Sequence, residues 1–350
     1  MHELVIEQVT DRAAADRWHG VYAAAASADY VDLPTGPVVE VYERIENNRA
    51  DRQQELWLGS FAGAPVAAAS LTLPMLDNTV NATVELHVHP SFRRRHFGTA
   101  MLDHLVDRAR AHDRTRLIGE AGEPISDQPV EPPGGPVFAA AVGAKPVTTE
   151  VRRILRIAQL DPGELARLHD VASAKSGGYS LLQWQGPAAD ELVEDLAYLL
   201  SRMSTDAPLE DLDWEPEAWS ATRYRDHESA VAASGRTRLV TVARHDASGR
   251  IVAFTDIGIG AEPLQFAYQW TTIVLAEHRG HRLGMLVKLA NLAYLQRTHP
   301  KVEFVNTWNA GVNAHMVAIN ESLGFRPIDR WREWQLELSA FRTQNRPVIG

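Results

Sequence analysis

The chain has 350 residues, 45% of them hydrophobic and 23% charged, with 35 Lys and Arg against 45 Asp and Glu. The resulting net charge of −10 repels polyanions, so nucleic acid is not expected as a partner, and a phosphate site must be local and built from backbone donors. No cysteine occurs, which removes disulfides, thiolate metal sites and a cysteine acyl-enzyme. The length exceeds one ordinary core and predicts two domains. The segment MHELVIEQVTDR has no basic or apolar leader character, and no run approaches membrane-spanning length, so a cytoplasmic protein without membrane contact is expected.

Residues 3–9 read as a strand, and 11–26 as an Ala-rich helix begun by Asp11. A helical stretch at 38–50 precedes strand-like runs at 54–61 and 65–73, separated by the hairpin signal Gly63-Ala64-Pro65. A strand at 82–89 stops at Pro90, a helix follows at 98–112, and 115–119 reads as a strand. After a loop at 122–136 and a short helix at 137–142, a last strand is expected at 147–157. Residues 161–177 read as a linker between a domain at 1–160 and a second at 178–350.

The second half repeats this order: strand 178–186, helix 189–203, helix 223–233, strands 237–244, 251–258 and 268–275, helix 284–297, strand 302–308, helix 313–323 and strand 330–338. The repeat is in register. Val88 and Val274, Arg93 and Arg279, and Gly98 and Gly284 are each 186 residues apart; Gly143 and Gly324 are 181 apart, a drift that loop-length differences would give.

In each half a strand runs into a basic, glycine-containing turn that opens a helix: Arg93-Arg94-Arg95-His96-Phe97-Gly98-Thr99, and Arg279-Gly280-His281-Arg282-Leu283-Gly284. Free N–H groups of such a turn converge on one spot, the helix dipole adds to their field, and arginines supply further charge. These turns resemble the Arg/Gln-x-x-Gly-x-Gly/Ala signature of the GNAT superfamily of acetyltransferases, and Asn313-Ala-His-Met316 followed by Leu323-Gly324-Phe325 resembles its Asn-x-x-Ala helix and closing Leu-Gly-Phe. Both turns depart from the signature at its first glycine, which is His96 in one half and Arg282 in the other.

The resemblance implies a mixed α/β fold in two GNAT domains, each with a splayed central sheet flanked by helices. It also implies acetyl-CoA as co-substrate, with Val88 in the first half and Ile273 and Val274 in the second lining its pantetheine arm, and Asn313 beside that arm. The chain resembles an actinobacterial group of tandem GNAT proteins and, distantly, mycothiol synthase. The tyrosine that serves many of these enzymes as an acid is replaced by Asn320 in the second half and Ala139 in the first. The second site is therefore expected to be the more complete.

Candidates for the base are Glu85 and His87 on the fourth strand of the first half, and Gln269, Thr271 and Thr272 on that of the second, with Asp256 on the preceding strand. His281 and His315 are further possibilities, and for every one of these residues a purely structural role competes. His87-x-His89 lacks a third ligand pattern, so no metal is expected. An acidic, Trp-containing stretch, Thr205–Glu217, would suit a small cationic amine as acceptor, or it is simply a solvated loop. The expected activity is direct acetyl transfer to such an amine. The competing reading is a degenerate acyl-CoA-binding sensor or scaffold. Either a monomer with pseudo-dimeric halves or a homodimer fits.

Overall fold

The computed structural model describes residues 3–30, 32–47, 49–125, 134–206, 212, 214–261 and 264–342. The first elements are β1 (Leu4–Gln8), α1 (Arg12–Asp29), α2 (Val39–Glu46), β2 (Arg52–Phe61), β3 (Ala64–Pro74), β4 (Asn81–Val88), α3 (Phe97–Ala111), β5 (Arg116–Pro124), α4 (Gly134–Ala141) and β6 (Lys145–Arg156). They are followed by α5 (Pro162–Ser173), β7 (Tyr179–Gln185), α6 (Asp190–Asp206), α7 (Ala221–Ala233), β8 (Thr237–His245), β9 (Ile251–Ile259), β10 (Phe266–Val274), α8 (Leu283–Thr298), β11 (Phe304–Ala310), α9 (Ala314–Ser322) and β12 (Arg326–Glu337). Several helix starts carry side-chain caps, whereas those of α2, α3 and α8 have none. Asp11 accepts from Ala14 N at 2.8 Å, Ser220 from Arg223 N at 3.2 Å and Asn313 from Met316 N at 3.2 Å. Ala62 and Gly63, both at positive φ, make the two-residue turn between β2 and β3, one residue earlier than Gly63-Ala64-Pro65 implied.

The chain divides into two compact units. One holds the residues up to Thr149 together with Leu212, Trp214 and those from Arg330; the other holds Glu150–Leu209 and Glu215–Asp329. Within the first, β1-β2-β3-β4 are antiparallel neighbours, β4 pairs parallel with β5, and the order continues to β12. Within the second, β7-β8-β9-β10 are antiparallel, β10 pairs parallel with β11, and β11 pairs antiparallel with β6 over Glu150–Arg156. The two units thus repeat one strand order, as the repeat in sequence implied, but each takes its sixth strand from the other half of the chain.

Side chains fix this exchange. In the first unit Arg116 reaches Glu337 at 2.8 Å, Arg330 and Arg332 both reach Glu123, and Trp331 stacks on Tyr30 at 4.6 Å between centroids. In the second, Arg152 is fully buried on Asp329, donating from Nε at 2.9 Å, and also reaches Asn306. The 161–177 segment is not a free linker: Asp161 caps α5 through Gly163 N and Glu164 N, and Leu168 and Ala172 enter the second unit's core.

Cores follow the alternation of the strands. Leu71, Leu73 and Ala82 pack with Met101, Leu105 and Leu117 in the first unit, along with Leu336 and Leu338 of the incoming strand. In the second, Ile257, Ala267 and Val305 pack with Leu286, Leu289 and Phe325. Among the described residues, no helix is long and apolar enough to cross a membrane.

Candidate active site

Both parallel pairings are short. β4 and β5 are in register only from Asn81–Arg116 to Val84–Gly119, and β10 and β11 only from Phe266–Phe304 to Tyr268–Asn306. Beyond those residues each pair opens, which leaves the backbone of the later half of β4 or β10 without a strand partner on that side. The openings then differ. β4 runs in unbroken register against β3, whereas β10 shifts register against β9 between Gln269 and Thr272. Such a bulge bends the strand and re-aims its side chains.

Gln269, Thr271 and Asp256, each a candidate for acid–base work, build this bulge. Asp256 is 2% exposed; one oxygen accepts from Thr271 N at 2.8 Å and the other from Arg238 Nε at 2.8 Å. The Gln269 amide donates to Thr255 Oγ1 at 2.9 Å and to the Asp256 carbonyl at 2.8 Å. Trp270, at the apex, lies over Gly258, where any Cβ would meet its ring at 2.1 Å. Burial works against the Arg238 charge, but Asp256 and Tyr224 outweigh it and hold the guanidinium above its usual range. Burial pushes the Tyr224 phenol up to about 12.

Asn320 is fully buried; its amide donates to Asn309 Oδ1 at 2.6 Å, and its own Oδ1 has no protein partner. Asn306 Nδ2, also buried, has none either. Thr272 keeps its hydroxyl within 2.7 Å of Thr255 Oγ1.

The opening leads to a cavity of about 780 Å³ within the second unit. Thr272, Ile273, Val274, Arg279, Gly280, Arg282, Leu283, Gly284 and Asn313 line it, together with His278, His315 and Met203. His281 does not line it; its Nδ1 faces the Lys175 carbonyl at 3.3 Å. Gly280 (φ +88) and Arg282 (φ +58) are both left-handed, an alternation that turns successive N–H groups toward one point at the start of α8. Gly284 is held close: a Cβ there would meet Val274 and Ile319 at 3.6 Å. Splay, bulge, turn and cavity together leave room for an elongated ligand with an anionic group at the converging N–H groups.

The first unit has the same turn without the same freedom. Arg94 (φ +63) and His96 (φ +66) repeat the left-handed pair, and Gly98 packs on Val88 and Phe138 as Gly284 does on Val274 and Ile319. Arg93, however, donates two hydrogen bonds to Asp29 of α1, at 2.7 and 2.8 Å, and a third to the Val88 carbonyl at 3.1 Å. Arg95 lies over the rings of Phe61, Phe92 and Phe97, within 5.3–5.5 Å of each centroid. Phe97 is buried, and Thr99 is half-buried in the first turn of α3.

Glu85 is not a free base. Arg44 reaches it at 2.9 Å and Ser70 at 2.8 Å; its side chain is 48% exposed, so the desolvation that would raise it is partial, and Arg44, His87 and Ser70 hold it at about 2. His87 packs edge-on against Tyr22 and Trp18, and burial lowers its affinity for a proton.

Sequence reasoning missed His278 and Met203 on the cavity wall, and Lys288 beneath it. Lys288 is 2% exposed, with the Phe325 ring 5.7 Å from its ammonium. A lysine inside the apolar run Leu283–Leu289 was the available signal. Of the acidic stretch, residues 207–211 and 213 lie outside the described residues; Glu217 accepts from Trp219 Nε1 at 3.0 Å. Among the described residues no group of three or more His, Asp or Glu is placed to hold a metal ion.

Residues 18–124 match the model of the Acetyltransferase (GNAT) family. A tandem GNAT protein from the clavulanic acid biosynthesis pathway is similar over 96% of this chain and 99% of its own, at 32% identity and a TM-score of 0.82. A GCN5-related N-acetyltransferase from Sphaerobacter thermophilus shares the fold at 17% identity and a TM-score of 0.64, over 99% of this chain and 97% of its own. None of the curated proteins searched matches the chain. The whole-length likeness at 32% identity, the repeated strand order and the turns opening α3 and α8 agree: the chain belongs to the GNAT family of N-acetyltransferases, as a tandem of two GNAT domains.

Proposed function

We propose that the second unit transfers an acetyl group directly from acetyl-CoA to a small cationic amine, and that the first unit serves as a partly degenerate companion domain. The observation that carries this reading is the cavity beside the opened β10–β11 pair, which joins the β10 bulge to the left-handed turn of α8. Bound acetyl-CoA would supply the activated thioester. The N–H groups from Gly280 to Gly284 would hold its pyrophosphate with the helix dipole behind them, and Arg279 and Arg282 would add charge. The unpaired edge of β10 from Thr271 to Val274 would offer its peptide groups to the pantetheine amides.

Asp256 acts through Thr271 N, keeping the bulge open, and holds no proton in the reaction. With Asp256 and Gln269 committed, His315 on the cavity wall is the side chain proposed to accept the proton of the amine. The excess of 45 acidic over 35 basic residues favours a cationic acceptor.

The test is release of free thiol from acetyl-CoA by the full chain against a panel of aminoglycosides, polyamines and amino sugars. Acceleration by one of these classes supports the reading, and a uniform lack of it removes the transferase assignment to amines. The commitment of Asp256, Gln269 and Asn320 to structural bonds favours a second reading, an acyl-CoA-binding sensor or scaffold. Tight binding of acetyl-CoA with no turnover would select it.

A further inference from the structure

Three imidazoles and a phenol gather outside the cavity's apolar floor, on the flank of the α8 turn. Tyr179, at the start of β7, lies 5.3 Å from the ring of His245, 5.7 Å from His278 and 5.2 Å from His281, and His245 and His278 are 4.9 Å apart. Each imidazole is fixed through one nitrogen. His278 Nδ1 meets Tyr179 Oη at 2.9 Å, His245 Nδ1 meets Ser248 Oγ at 2.9 Å, and His281 Nδ1 donates to the Lys175 carbonyl at 3.3 Å. In all three the protein leaves Nε2 open. The rings are half-buried or exposed, so a ligand reaches them from solvent, and His278 is also on the cavity wall.

We propose that Tyr179, His245, His278 and His281 form a site for a phosphate monoester, the 3′-phosphate on the ribose of CoA, separate from the backbone site for the pyrophosphate. The inference rests on the CoA-binding reading above and adds the part of the ligand that these side chains select. With Nδ1 accepting from the hydroxyls of Ser248 and Tyr179, His245 and His278 carry their ring N–H on Nε2 and donate it to the oxygens of the monoester.

Lys175 meets His281 through its carbonyl, Arg250 meets His245 through its own, Arg244 and Asp246 flank His245 in the chain, and Glu277, Arg279 and Arg282 flank His278 and His281. In the first unit the positions 186 residues earlier than His278 and His281 are Phe92 and Arg95, which stack on each other.

The experiment is calorimetric titration of the full chain with CoA and with dephospho-CoA, for the wild type and for His245→Gln/His278→Gln. The expected result is CoA binding about tenfold tighter than dephospho-CoA, with the ratio collapsing in the double variant. Equal affinity for the two ligands in the wild type overturns the proposal while leaving CoA binding intact. An undiminished ratio in the double variant also overturns it, because the selectivity then lies elsewhere. If neither ligand binds, the functional reading fails and this site falls with it.

Discussion

Arg93 and Asp29 are locked in a two-point ion pair, 2.7 and 2.8 Å, that turns the leading arginine of the first basic turn inward onto α1. Its counterpart Arg279 instead lies on the wall of the second unit's cavity. With Arg95 stacked among Phe61, Phe92 and Phe97, two of the three arginines in the first turn are already engaged. Titration of the full chain with CoA is therefore expected to give one bound ligand per chain. Gly284→Glu, which places a carboxylate against the converging N–H groups, is expected to abolish that event. A stoichiometry of two would refute the asymmetry between the units.

His96 and Arg282 are N-cap residues forced into the left-handed region, where an L side chain costs about 1–2 kcal/mol. Glycine there relieves the strain but gives back part of it as unfolded-state entropy, about 0.5–1 kcal/mol. His96→Gly is expected to stabilise the chain by about 0.5–1 kcal/mol, read as a higher Tm. Arg282→Gly should give a similar gain while weakening CoA binding, because it removes a cation from the site. A lower Tm for His96→Gly would mean that its side chain makes contacts outweighing the strain.

These two positions show how far the sequence could be read. The duplicated turn was visible because an anion-binding turn is local: strand, basic residues, glycine and helix succeed one another within a dozen positions. The two non-glycine residues at the signature's first glycine looked like departures, yet both adopt the conformation a glycine would. The exchanged strands were not visible. β6 and β12 carry ordinary strand patterns, and nothing in a local pattern says which sheet a last strand joins; long-range contacts such as Arg152–Asp329 and Arg116–Glu337, across 177 and 221 residues, reveal it. Asp256 and Gln269 stood out as acid–base candidates on the fourth strand and the one before it, but a sequence does not show that their polar atoms are spent on Arg238, Thr271 and Thr255.

That commitment gives Asp256 a different mutational signature from a base. Removing it by Asp256→Ala takes from the buried Arg238 its closest carboxylate and leaves it Tyr224 and the more distant Glu228, which is expected to cost about 3 kcal/mol in urea unfolding. Asp256→Asn keeps the shape and the acceptor for Thr271 N, so activity should fall with the pH profile of kcat/KM unchanged in form. Loss of the profile's acidic limb in Asp256→Asn would restore it as the base.

Lys288 supplies a pH dependence of stability. Burial brings its ammonium down from the ordinary lysine range to about 7, with Asp256 opposing. Between pH 7 and the unfolded value near 10.5 the unfolded chain holds a proton there that the folded chain does not, so this group makes stability rise with pH across that window. Below pH 7 both states are protonated and the penalty of burying the charge is fully present; above about 10.5 it has gone. Lys288→Met nearly conserves volume and removes the charge, at the loss of the contact with Phe325. It is expected to stabilise the chain by about 2–4 kcal/mol at pH 7, with the gain shrinking steadily toward pH 10. Chemical denaturation at pH 7, 8.5 and 10 reads this directly. A gain that stays constant with pH, or a loss at pH 7, would show that the ammonium has a favourable partner in the folded chain and that its charge is not the source of the penalty.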